Sequence, residues 1–232
     1  MRRASATMRA MAIILIRHGE TPGNRDRIIQ FPHIELSDRG LEQAARLGER
    51  MSGEPIEKIW VSDHARALQT AQAVERTTRA PLTVVEDLAE RSLGALRGRA
   101  YDDLDFDPFA PGYTPPEGES WEVFHARVDR VWSLIESHWL ENFAEREGAG
   151  HLCIVTHGLV LRSLIERRLL SETVLQDHAS EGGQVSIANT SVTILDSSLR
   201  EDGGLAHRVD LLACTAHLDE ATASRANPNV GM

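Results

Sequence analysis

The stretch Ile13-Ile14-Leu15-Ile16-Arg17-His18-Gly19-Glu20-Thr21 decides how the rest of the chain is read. Four consecutive apolar residues, three of them β-branched, predict a strand buried on both faces. Such strands belong to mostly parallel sheets covered by helices. The polar, glycine-bearing run Arg17 to Thr21 lies at the carboxyl end of that strand, where open α/β sheets bind their ligands. The pattern recurs downstream. Leu152-Cys153-Ile154-Val155 is a second buried run, and it ends in Thr156-His157-Gly158. A third strand, Ile56–Val61, is followed by Ser62 and Arg66.

Helical patterns fill the intervals. Ser37 can cap a helix over 38–51, and a second helix runs from about Ser62 to Arg79. A short strand is expected at 81–85 and a long helix at 121–140, with Phe124, Val128, Val131, Trp132, Ile135 and Trp139 at helical spacing. A helix at 159–170 and strands at 186–195 and 209–214 complete the chain. Strands alternating with helices predict an α/β fold, a three-layer α/β/α sandwich with a mostly parallel sheet. We expect one domain over 12–218 with an insertion at about 101–120, a disordered lead at 1–11 and a polar tail at 219–232. The insertion is rich in Asp, Pro and Gly and reads as a long loop or lid.

Composition narrows the function. In 232 residues the net charge is −10, which argues against a nucleic-acid partner. No apolar run is long enough for a membrane span. Two cysteines, Cys153 and Cys214, make neither a disulfide framework nor a metal-ligand spacing, so a reducing, cytoplasmic setting is expected. The basic residues are 24 Arg and a single Lys, Lys58. Codon preference explains most of that bias. A few arginines at an anion site would use the planar guanidinium fork.

Two histidines at two strand exits, an arginine beside the first and a helix terminus after the second suit a phosphate. The glycine after each histidine lets a ligand approach the backbone. Zinc is the rival use of paired histidines, but no third ligand lies at a helical or turn spacing from either.

Five segments together resemble the histidine phosphatase superfamily, which includes cofactor-dependent phosphoglycerate mutases. They are Arg17 to Thr21 with Asn24; Leu36-Ser37-Asp38-Arg39-Gly40 with Gln43-Ala44; Ser62 and Arg66 to Ala71; Leu88-Ala89-Glu90 with Gly94 and Gly98; and Thr156-His157-Gly158. The resemblance covers about residues 12–195 and implies a phosphoglycerate mutase-like fold. It implies that His18 is a nucleophile forming a phosphohistidine, and that Glu90 protonates the leaving oxygen and then deprotonates water. Arg17, Asn24, Arg66 and His157 would hold the phosphoryl group, with Thr21, Gln30 and Gly158 as further candidates for substrate contact. No metal and no cofactor is called for.

Phe31 stands where the family often has glycine, which predicts a more apolar entrance. Only 67 residues separate Glu90 from His157, short for the mutase members. The resemblance is therefore to the phosphatase branch, and the expected partner is a small phosphorylated substrate. The acidic insertion predicts discrimination against a second phosphate on that substrate. A phosphoglycerate mutase, a phosphoprotein phosphatase and a non-catalytic phosphate-binding module stay open as alternatives, and so does a homodimer.

Overall fold

The computed structural model describes residues 11–143, 146, 150–171 and 185–218. The expected lead and the polar tail lie outside the described residues, apart from Met11. Six strands form one sheet in the order β3-β2-β4-β1-β5-β6. They are β1 (Ala12–Arg17), β2 (Ile56–Val61), β3 (Leu82–Val84), β4 (His151–Thr156), β5 (Val192–Leu199) and β6 (Leu205–Cys214). The first four are mutually parallel, while β5 and β6 run antiparallel. The expected α/β architecture with a mostly parallel sheet is therefore observed.

Alternation along β1 builds both layers. Ile13 and Leu15 pack under α4 (Trp121–Asn142) and α5 (Gly158–Leu164). Ile14 and Ile16 pack under α2 (Asp38–Met51) and α3 (Ala65–Thr78). All four side chains are fully buried, which the unbroken apolar run requires of a central strand. Trp132 and Trp139 lie in the core as expected. Trp121 instead is a platform, with the Arg91 guanidinium 3.9 Å from its ring centroid.

Three boundaries differ from the sequence reading. The helix expected from Ser62 begins at Ala65, because the Ser62 hydroxyl is used elsewhere. Helix α5 passes into a π-helical turn, Ile165–Leu169. The strand expected at 186–195 begins only at Val192. Residues 187–190 are apolar or β-branched enough to resemble a strand, but their polar groups serve the first strand exit. Ile187 O accepts from Arg17, and Asn189 donates to His18 O. A four-residue helix, α1 (Pro22–Arg25), was not anticipated.

Candidate active site

The exits of β1, β2 and β4 meet beside a cavity of about 70 Å³. His18 leaves β1 with its Nδ1 donating to Gly19 O at 2.7 Å. A carbonyl only accepts, so the ring proton sits on Nδ1 and Nε2 keeps its lone pair. Arg66 Nε, which only donates, approaches that Nε2 at 3.3 Å. Burial, then Arg66 and Arg17, hold the His18 pKa well below the ordinary histidine value. The imidazole is thus neutral, correctly tautomerised and aimed at a guanidinium.

Two neighbouring helices lock this loop in place. Gly19 N donates to Thr70 Oγ1 on α3 at 3.0 Å, and Glu20 N donates to Gln43 Oε1 on α2 at 2.8 Å. The Glu20 carboxylate accepts from Ser37 Oγ and from Arg39 Nη1. Gly19 and Gly40 meet backbone to backbone: a Cβ on Gly19 would lie 2.7 Å from Gly40 O. The motifs at 36–44 and 69–71 therefore brace the loop that carries His18 and do not line the cavity.

Arg17, His18, Asn24, Gln30, Arg66 and Glu90 all line the cavity. Burial pushes the Arg17 and Arg66 guanidinium pKa values down to about 10, still far above neutrality. Asn24 Oδ1 accepts from Thr21 N, Thr21 Oγ1 and Asn189 Nδ2, which leaves its Nδ2 as the donor for a ligand. Glu90 accepts from Arg91 N at 3.0 Å and from Leu159 N at 3.1 Å. The start of α5 thus holds the Glu90 carboxyl through the Leu159 amide.

Thr21 and Gly158 are not among the described residues that line the cavity. Thr21 caps α1 through Asn24 N, and Gly158 opens α5. His157 is fully buried and also lies off the cavity wall. Its ring meets His18 edge-on at 5.1 Å and His64 at 4.7 Å between centroids. Its Nε2 is 2.8 Å from Ser62 Oγ, while its buried Nδ1 has no hydrogen-bond partner. Burial and Arg66 keep it neutral. Among the described residues no group of three or more His, Cys, Asp or Glu is arranged to hold a metal ion.

Residues beyond the expected set also line the site. His64 accepts from Arg66 Nη2 at 3.0 Å and lines the cavity, with its pKa pushed down to about 3 by burial. Tyr101, Arg91 and Arg97 line it too. Arg91 is buried and donates to the carbonyls of Pro108, Tyr113 and Glu119, pinning the 101–120 segment. The Phe31 ring covers Gly98, and its carbonyl accepts from Arg66.

Comparison with known proteins agrees with this geometry. The family model "Histidine phosphatase superfamily (branch 1)" matches residues 13–207. The chain belongs to the histidine phosphatase superfamily. It is 31% identical to phosphoglycerate mutase-like protein 4 of Arabidopsis thaliana, over 78% of this chain and 77% of that protein. It is 32% identical to the metal-independent phosphoserine phosphatase of the same plant, over 67% of each. Among solved structures, mycobacterial hydrolase 2 shares the fold with a TM-score of 0.72 at 23% identity, over 94% of this chain and 98% of that one.

Proposed function

We propose that this histidine phosphatase hydrolyses small phosphomonoesters without a metal, through a phosphohistidine on His18. The observation that carries this reading is the tautomer lock. With its Nδ1 proton on Gly19 O, His18 presents a neutral Nε2 to a cavity that also holds Arg66 and Glu90. In the first half-reaction Nε2 attacks phosphorus as the ester P–O bond breaks, and Glu90 gives its proton to the leaving oxygen. In the second, water attacks phosphorus, Glu90 takes the water proton, and the P–N bond breaks to release phosphate. Splitting one displacement into two lowers each barrier.

Arg17, Arg66 and Asn24 Nδ2 stabilise the equatorial oxygens, where the charge of phosphoryl transfer is spread. His157 acts from behind: its orphaned Nδ1 beside the His18 ring suits a phosphoryl oxygen, because a buried nitrogen without a partner gains most from a ligand. Turning the Ser62 hydroxyl from Asp63 Oδ1, its acceptor at 3.3 Å, to His157 Nε2 would place the His157 proton on Nδ1.

The test is p-nitrophenyl phosphate hydrolysis in the presence of a chelator. We expect turnover by the unaltered protein and none by His18→Ala. Full turnover by His18→Ala contradicts the reading. A coupled assay for 3- to 2-phosphoglycerate conversion separates hydrolysis from mutase activity.

A further inference from the structure

The transfer chemistry leaves one cation of the cavity without a task. Arg97, at the edge of a short 3-10 turn (Gly94–Leu96), lines the cavity and is half-buried. Among the described residues its side chain makes one hydrogen bond, Nη2 to Ser92 Oγ at 3.1 Å. No carboxylate among the described residues pairs with it. The two neighbouring arginines are committed. Arg91 spends its donors on three carbonyls, and Arg127 is paired with Glu119 at 2.8 Å.

The wall therefore carries Arg17, Arg66, Arg91 and Arg97 against the single carboxylate of Glu90. A phosphate ester supplies about −1.5 to −2 near neutrality, which leaves positive charge on the wall. Half-buried charge is screened less than surface charge, so the surplus acts on whatever enters. Gln30 adds a second unfilled group: its Oε1 is buried, lines the same cavity and has no donor.

The acidity of the insertion does not offset this. Asp102, Asp103, Asp105 and Asp107 are all exposed, and none lines the cavity. Asp102 faces Arg27, and Asp107 accepts from Phe109 N. What the segment sends inward is Tyr101 and Phe109. Burial pushes the Tyr101 pKa up to about 12, so it enters as a neutral phenol. The expected discrimination against a second phosphate loses its physical basis.

We propose that the substrate's leaving group carries a second anionic group, a carboxylate or a phosphate, and that Arg97 binds it. Gln30 then accepts a hydroxyl or ammonium hydrogen from the same leaving group. Arg97 is a specificity-determining residue here and takes no part in the displacement. This inference rests on the phosphatase reading for its substrate and names the class of ester that the site selects.

The test compares kcat/KM for 3-phosphoglycerate, fructose 1,6-bisphosphate and glycerol 3-phosphate. Hydrogen bonds to charged groups are strong enough to predict a preference of about 10- to 100-fold for at least one of the doubly anionic esters, mostly in KM. Which of the two is preferred distinguishes carboxylate from phosphate. Arg97→Gln should collapse the ratio to about one, and Arg97→Lys should recover part of it. An unchanged ratio in Arg97→Gln, or a preference for glycerol 3-phosphate, overturns the proposal. Calorimetric binding of the same esters to His18→Ala and to His18→Ala/Arg97→Gln keeps the two readings separable. Arg97-dependent discrimination there without any turnover by the unaltered protein would reject the phosphatase reading and keep the anion site. Turnover with no discrimination would do the reverse.

Discussion

His18 is set apart from a core histidine by its contacts, not by its burial. A carbonyl fixes its tautomer, a guanidinium faces its lone pair, and a carboxylate shares its cavity. Arg66 is the most heavily used of these partners, touching His18, His64 and Phe31 O. Removing one preorganised donor to transition-state charge typically costs about 10²–10³ in rate. Arg66→Ala should therefore lower kcat by that factor, read by steady-state hydrolysis, and a loss under about threefold would assign Arg66 to structure alone. The residues legible in sequence were those whose type and local spacing carry the chemistry: Arg17, His18, Arg66 and Glu90. Asn189, and Ser62 as the partner of His157, were hidden because each bond spans a long sequence separation, and Arg97 because one arginine among 24 has no local pattern to mark it. Thr21 illustrates the opposite error, since its place in the motif reflects a capping box with Asn24.

At the scale of elements, β1 does two jobs. Its run of four apolar residues joins the two core layers, and its exit delivers Arg17 and His18. Leu15→Ala should cost about 2–5 kcal/mol in denaturant unfolding, the range for truncating a fully buried leucine. The start of α2 must approach the loop that carries His18 without a side chain in between. A Cβ on Gly40 would strike the Glu20 carbonyl. Gly40→Ala should lose about 1–3 kcal/mol through overpacking and should also lower kcat, because the displaced loop carries His18. Normal kcat in that variant would show that the two glycines do not set the loop. Buried strands were legible from their apolar runs. The 186–195 segment was misread because composition reports burial but not where backbone hydrogen bonds go. Ile187 O accepts from the Arg17 side chain and Thr190 N donates to Arg17 O, so the ladder starts only at Val192.

Across the whole molecule, a net charge of −10 coexists with a cationic cavity. Acidic residues are spread over the surface, whereas four arginines converge at the strand exits. Composition was therefore a poor guide to the pocket. The buried histidines couple the fold to pH. His18 and His157 are held well below the ordinary histidine value, and His64 and His217 are pushed to about 3 and 4. Between those values and the unfolded value of about 6.5, the unfolded chain binds more protons than the folded one. Stability therefore rises with pH through this window and is lost as pH falls below about 6.5. Urea midpoints should be lower at pH 5.5 than at pH 7.5, and the reverse order would contradict neutral histidines in the fold. His18 should stay unprotonated over the same range, so kcat should show no acid limb from its titration near pH 6.5.

The central claim is that the phosphoryl group rests on His18 during turnover. It is tested most directly by reacting the protein with a ³²P-labelled phosphomonoester, quenching under denaturing alkaline conditions and locating the label by peptide mass spectrometry. An acid-labile, alkali-stable phosphoryl group is expected on the peptide carrying His18, absent from His18→Ala. Label on another residue, or turnover with no His18 phosphoryl group formed under single-turnover conditions, would contradict it.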